Sequence, residues 1–318
     1  MRLRPLALLA LTATLLAPAC QLPTNAEPAE RAPSDEATQA STDTAEAPAA
    51  TEAALAAAEA GAAIAPPAPD HDWGTTFERI AVVGSSSTAG FQVQTPGGAA
   101  ARLADFLDAA LEPEHTIAYD GGDLMMFLNP EALGGVQIQR ALAADPTLLV
   151  GVDFLFWYFY GEGETTADRL ERLEGGLAEL ARFDCTVVVG DLPYMIKAAG
   201  GMIPWAMMPD AEGFAPANAR INEWAAARDN VVLVSLAKVH GQLDAGEAYA
   251  RGSFVWDPAT DGRLLQLDEL HPNMPGTGAL AVEILAALAM HEGATLESVA
   301  RGTLEELVDE VNRTLNAF

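Results

Sequence analysis

Three serines stand between two glycines in GSSSTAG (84–90), directly after the apolar run IAVV. A serine hydroxyl is a weak nucleophile until a base takes its proton, and that base needs an acid to orient it. Serine-rich turns also form for local reasons, because the hydroxyls bond their own backbone. The base and the acid must therefore be found elsewhere in the chain. There are five histidines, few enough to weigh singly. His71 lies in the charged stretch DHD (70–72), His115 precedes a strand-like run, and His240 sits in a polar loop. His291 ends a helical pattern, where a cation suits the helix dipole. His271 differs. It lies in LDELHPNMPGTGALA (267–281), three residues after Asp268 and ahead of a Pro-Asn-Met-Pro-Gly turn leading into an apolar helix. One loop thus carries an imidazole and an acid together, the pair that a nucleophilic serine needs.

Such a site has to be positioned by regular elements. RIAVVG (79–84), TIAY (116–119), TLLVGV (147–152), TVVVG (186–190) and VVLVS (231–235) read as strands. Several are apolar at every position, as expected of parallel strands covered on both faces. Helical patterns lie near 98–111, 164–182, 215–228, 276–291 and 295–315, the last with the capping signal Thr303-Leu304-Glu305-Glu306. The alternation predicts right-handed crossovers and a three-layer α/β/α domain around a central parallel five-stranded sheet. In such sheets chemistry gathers beyond the carboxyl ends of the strands, which is where the three serines fall.

GSSSTAG after a first strand, with DELHPN (268–273) near the end of the domain, resembles the SGNH/GDSL hydrolases, whose first block is GDSxxxG and whose last is DxxHPN. The resemblance covers roughly residues 77–292. It implies Ser86 as nucleophile, Asp268 as acid and His271 as base, with Ser85 where the family usually has Asp. IAYDGGDL (117–124) resembles the second block, whose glycine N–H helps to form the oxyanion hole; Gly122 is the better match and Gly121 the alternative. The N–H of Ser86 would be another donor. ANARINEWAAARDNVVLVSL (217–236) resembles the family's later helix and fifth strand.

The third block departs from the family. GVDFLF (151–156) has Asp153 where the family has an Asn that donates to the oxyanion. Three readings stand: Asp153 is protonated among aromatic neighbours and donates, Asn129 donates instead, or the third donor is absent. FLFWYFY (154–160) and the Met-rich YMIKAAGGMIPWAMMP (194–209) follow strands three and four, and read either as core and covering loop or as an apolar acyl or aryl pocket.

The N-terminal region has another character. Arg2 and Arg4 precede an apolar stretch (6–16) and Ala17-Pro18-Ala19-Cys20, the order of a secretory signal. Such a stretch is too short for a membrane span, which needs about 20 residues. Residues 1–19 are expected to be a signal peptide. Cys20 is expected to be lipidated as in bacterial lipoproteins, although Ala17 stands where a lipobox usually has Leu; simple cleavage after Ala19 is the other reading. Gln21 after the cysteine favours the outer membrane, facing periplasm or cell surface, and without lipidation the protein would be periplasmic or secreted. Residues 20–71, rich in Ala, Pro, Thr, Glu and Ser, are expected to be a disordered tether, and 72–318 the hydrolase-like domain with a C-terminal helical extension. A net charge of −28 argues against nucleic-acid partners.

The resemblance implies a serine esterase or acyl hydrolase acting on a small-molecule, lipid or glycan ester of the envelope or its surroundings, with no metal or organic cofactor. The same scaffold could instead transfer an acyl group to a glycan hydroxyl, or persist as an inactive envelope-binding lipoprotein.

Overall fold

The computed structural model describes residues 72–163 and 165–317. The expected signal peptide (1–19), the lipidation site Cys20 and the tether (20–71) lie outside the described residues.

Five short strands form one parallel sheet: β1 (Ile80–Val82), β2 (Ile117–Asp120), β3 (Leu148–Gly151), β4 (Thr186–Gly190) and β5 (Val231–Val234), in the order β2-β1-β3-β4-β5. This is the flavodoxin-like order of a doubly wound sheet, in which the winding reverses between β1 and β3. The chain leaves β1 towards one edge and returns to start β3 on the other side. Ligands of such sheets bind outside the carboxyl ends of the strands at that reversal, and Ser86 and Asp153 lie in the segments that directly follow the two strands flanking it.

The reason the strands are apolar throughout is visible in their alternation. Ile80, Val82, Leu148, Val150, Val188, Val232 and Val234 belong to one core cluster, while Ala81, Val83, Leu149, Val187, Val189 and Val231 belong to the other. The first cluster is completed by helices α1 (Leu103–Ala110), α8 (Met274–His291) and α9 (Leu304–Leu315). The second is completed by α2 (Pro130–Ala143), α3 (Phe156–Tyr160), α4 (Thr166–Leu180) and α5 (Ala211–Ala226). Each fully buried aliphatic side chain contributes about 1.5–3 kcal/mol, so strands of only a few residues are held firmly from both faces. The edge strand β2, covered less well, is half-buried along its length.

The domain is thus the three-layer α/β/α sandwich that the alternation predicts. Its remaining elements are α6 (Leu236–Asp244), an antiparallel hairpin of β6 (Tyr249–Arg251) and β7 (Phe254–Trp256), and the short α7 (Pro258–Asp261). The expected final helix over 295–315 divides into a 3-10 turn, Leu296–Ser298, and α9, whose start carries the capping box: Thr303 Oγ1 accepts from Glu306 N–H at 3.2 Å, and Thr303 N–H donates to Glu306 Oε2 at 2.9 Å.

Candidate active site

The nucleophile turn begins where β1 ends. Gly84 is clamped by the side-chain amide of Gln137 on α2: Gly84 N–H donates to Gln137 Oε1 at 2.8 Å, and Gln137 Nε2 donates to Gly84 O at 3.0 Å. A Cβ on Gly84 would collide with the Asp153 carboxylate and the Thr88 side chain, so glycine is the residue that lets the turn approach. From Ser85 the chain coils helically, with Ala89 N–H donating to Ser85 O and Phe91 N–H to Ser86 O, each at 2.9 Å. Gly90 ends this coil in the left-handed region at φ 69°. Ser86 itself is left partly exposed.

The acid and base come from the loop before α8. His271 is 3% exposed, and its Nε2 lies 2.8 Å from Ser86 Oγ while its Nδ1 lies 2.7 Å from Asp268 Oδ2. Three-residue spacing makes this possible: the second oxygen, Asp268 Oδ1, accepts the N–H groups of Leu270 and His271 at 3.0 Å each, folding the loop back so that the carboxylate lies under its own histidine. Glu269, between them, takes the strained left-handed conformation, φ 59°. Burial alone would raise the Asp268 pKa, but hydrogen bonds from the His271 backbone and ring and from Leu270 N–H outweigh it and hold the carboxyl below its usual range. Phe91 packs on the His271 ring, with centroids 4.4 Å apart. Gln266 Nε2 fastens the two loops together, donating to Phe91 O at 2.7 Å and Pro272 O at 2.8 Å. Asn273 then caps α8 by accepting from Gly276 N–H at 3.0 Å.

Asp153 does not sit as an oxyanion donor, which corrects the placement that the third block implies. Its Oδ1 accepts from Ser85 N–H (2.9 Å) and Thr88 Oγ1 (2.5 Å), and its Oδ2 from Ser85 Oγ (2.8 Å), Ser87 N–H (3.0 Å) and Thr88 N–H (3.2 Å). Five donors converging on one buried carboxylate define an acceptor: it behaves as a cap for the coil that carries Ser86. Asn129 is no substitute, because it is exposed and its side chain caps α2 through Ala132 N–H.

Two backbone donors remain near the nucleophile. Among the described residues neither Ser86 N–H nor Gly122 N–H has a protein acceptor, whereas Gly121 N–H is spent on Val82 O at 2.8 Å. Gly122 packs so closely on the Ser86 coil that a Cβ there would come within 2.8 Å of Ala89 N and of Thr88 Cγ2. Arg102 fixes this loop: it pairs with Asp120 and donates from Nη2 to Gly122 O at 2.8 Å. The anchors Gln137, Arg102 and Gln266 carry no motif, and the sequence holds no signal that separates them from ordinary polar residues.

No family model matches this chain, and no curated protein matches it. Among solved structures it is similar to a lipase/acylhydrolase from Enterococcus faecalis, with a TM-score of 0.44 and 19% identity over 69% of this chain and 98% of that one. It is also similar to a gut microbial diltiazem-metabolizing enzyme, with a TM-score of 0.44 and 13% identity over 66% of this chain but only 46% of that one.

The aromatic run is core. Trp157, Tyr158, Phe159 and Tyr160 of α3 are buried in the second cluster, and the Tyr160 hydroxyl donates to Pro193 O at 2.5 Å, tying down the loop after β4. Within that loop Met195 and Ile203 are buried, while Trp205 is 67% exposed. Among the described residues no three His, Cys, Asp or Glu side chains stand together in a way that could hold a metal ion.

Proposed function

We propose that the protein is a serine hydrolase of the SGNH type that cleaves esters, with Ser86 as nucleophile, His271 as general base and acid, and Asp268 as its orienting acid. The observation that carries this reading is the unbroken chain from Ser86 Oγ to His271 Nε2 (2.8 Å) and from His271 Nδ1 to Asp268 Oδ2 (2.7 Å). An ionised Asp268 on Nδ1 holds that nitrogen as the donor and leaves Nε2 to receive the serine proton. Ser86 Oγ then attacks the ester carbonyl, and the developing oxyanion takes the free N–H groups of Ser86 and Gly122. Collapse breaks the C–O bond to the alcohol, which leaves with the proton from His271. Water, deprotonated by the same Nε2, attacks the acyl-enzyme; the acid departs and Ser86 regains its proton.

In this reading Asp153 serves the reaction indirectly, by fixing the coil that aims Ser86 Oγ and N–H, and the oxyanion hole rests on two backbone donors. An active-site fluorophosphonate is expected to label the protein at a single residue, and Ser86→Ala to abolish labelling together with hydrolysis of p-nitrophenyl esters. Undiminished labelling of that variant would overturn the assignment.

We further propose that the domain is exported and held to a membrane through an acylated Cys20, at the outer membrane facing periplasm or cell surface. The support is the order of charged, apolar and small residues before that cysteine. Cys20→Ser is expected to move the protein from the membrane to the soluble fraction of the producing cell; a wild-type protein already soluble after export would refute it.

A further inference from the structure

The two backbone donors of the proposed oxyanion hole come from different parts of the chain, Ser86 from the coil after β1 and Gly122 from the turn after β2. One carbonyl oxygen can meet both only if their separation is fixed. Packing supplies part of that constraint, since the turn lies so close to the coil that a Cβ on Gly122 would stand 2.8 Å from Ala89 N. Contact of this kind resists approach but does little against withdrawal.

Arg102 is placed to prevent withdrawal. Its backbone neighbours are fastened to the coil and the segment after it: Leu103 N–H donates to Thr88 O at 3.1 Å and Ala101 N–H to Val93 O at 3.0 Å. Gly90, at the end of the coil, fits against them so tightly that a Cβ there would strike Ala101 O and stand 3.1 Å from Arg102 Cα. Arg102 N–H is itself held by Asp105 Oδ2 at 2.7 Å, in the first turn of α1. The side chain reaches the other way. Its Nε and Nη2 engage the two oxygens of Asp120, the last residue of β2, and Nη2 also donates to Gly122 O at 2.8 Å. Asp120 thus holds the guanidinium plane, and the guanidinium holds Gly122. Gly121 N–H donates to Val82 O at 2.8 Å and Asp123 N–H to Gly84 O at 3.1 Å. Of these three consecutive amides only that of Gly122 has no acceptor among the described residues.

We propose that Arg102 is a positioning residue of the oxyanion hole, a strut between the Ser86 coil and the Gly122 turn that sets the separation of the two donors. The proposal rests on the ester-hydrolase reading. Arg102 acts through Gly122: its charge is balanced by Asp120, and what the site uses is the planar fork, which grips a carboxylate and a carbonyl at once. Lysine keeps the charge but ends in a single rotatable point, so it does not reproduce that grip. A role through charge alone would survive Arg102→Lys; a role through geometry does not.

The test is Arg102→Lys in the full-length protein, with p-nitrophenyl butyrate kinetics expressed per site labelled by fluorophosphonate at completion. Misplacing a catalytic group by about 1 Å costs up to about 10²-fold, so kcat is expected to fall about 10- to 10²-fold while KM changes little. The same change in a Gly122→Ala background is expected to cost less than about twofold more, because the donor that Arg102 aims is already displaced. Asp120→Asn, which leaves Arg102 in place but loosens its plane, is expected to lower kcat in the same manner and less far, and it carries the test if Arg102→Lys folds poorly. Denaturant unfolding of each variant separates lost protein from lost turnover. Wild-type kcat in the folded variants, a loss that falls on KM instead of kcat, or a full additive loss in the Gly122→Ala background overturns the proposal. Absence of fluorophosphonate labelling in the wild-type protein would count against the nucleophile assignment alone, so the two failures are told apart.

Discussion

The Ser85 hydroxyl donates to the Asp153 carboxylate at 2.8 Å, and both side chains are buried, 2% and 7% exposed. These are the two positions at which the chain departs from the SGNH blocks it resembles, where Asp and Asn are usual. The departures are therefore one coupled arrangement: the carboxylate stands on the β3 side of the reversal instead of the β1 side, and the hydroxyl opposite supplies it with a proton donor.

Asp153→Asn, which restores the family's residue at that position alone, is accordingly expected to lower kcat/KM. Whichever oxygen the amide nitrogen replaces, a donor then faces the donors of Ser85, Ser87 or Thr88. A buried donor left without an acceptor costs about 1–3 kcal/mol. Denaturant unfolding and ester kinetics check this together. The double variant Ser85→Asp with Asp153→Asn, which exchanges the carboxylate back, is expected to be more stable and more active than the sum of its single changes. Strict additivity would show that the two positions are not coupled.

Asp268 makes a prediction about acid. Its pKa is depressed in the folded protein, so the carboxylate is ionised there at a lower pH than in the unfolded chain. The stability this contributes is complete above the unfolded value of about 4 and is lost as pH falls through the folded value. Asp268→Asn should thus be less stable than wild type at pH 7, with the gap narrowing below pH 4. Its kcat is expected to fall by about 10⁴, because the amide no longer fixes the histidine tautomer. A stability gap independent of pH, or a kcat near wild type, would contradict this account.

How much of this was legible in sequence depended on how local the cause is. The five strands and the long helices α4, α5 and α8 were readable because burial on both sheet faces makes strands continuously apolar and caps mark helix ends. Ser86, Asp268 and His271, which the structure brings within hydrogen-bond distance, were nameable because each stands in a short block whose spacing does the geometric work. Three features escaped. The helix α2 contains Gly134-Gly135, which weakens its propensity; Gly134 is there because a Cβ would strike the Tyr158 hydroxyl. The β6-β7 hairpin owes its place to tertiary partners, the Arg251–Glu283 ion pair at 2.8 Å and the Tyr249 hydroxyl donating to Ala279 O at 3.2 Å. The acceptor role of Asp153 depends on five donors contributed by three residues more than sixty positions away in sequence.

Gln137 is the anchor most remote from any motif, and its loss should be felt at Ser86. Gln137→Leu keeps the side chain's approximate size but leaves Gly84 N–H buried without an acceptor, while Gly84 O retains Asp123 N–H at 3.1 Å. The expected cost is about 1–3 kcal/mol in unfolding free energy, with a fall in kcat because the turn loses its fixed start. Unchanged kcat at reduced stability would confine Gln137 to a purely structural part.

The two adjacent glycines of the second block provide the sharpest test of the oxyanion hole. Gly121 N–H already donates to Val82 O, and the atoms nearest a Cβ at Gly121 would be those of the Tyr119 side chain rather than backbone. Gly122 N–H has no acceptor among the described residues, and a Cβ at Gly122 would press on Ala89 N and on Thr88, part of the coil that holds Ser86. Gly122→Ala must therefore shift backbone against backbone, moving one of the two proposed donors away from the reacting carbonyl. Losing one such donor costs about 10²–10³ in rate, so kcat should fall by that order while KM changes little. Fluorophosphonate should still label Ser86, only more slowly, since Ser86 and His271 are both retained. Gly121→Ala should retain most of its activity. Parallel kinetics of the two variants decide the matter: equal losses, or full activity in Gly122→Ala, would remove Gly122 from the hole.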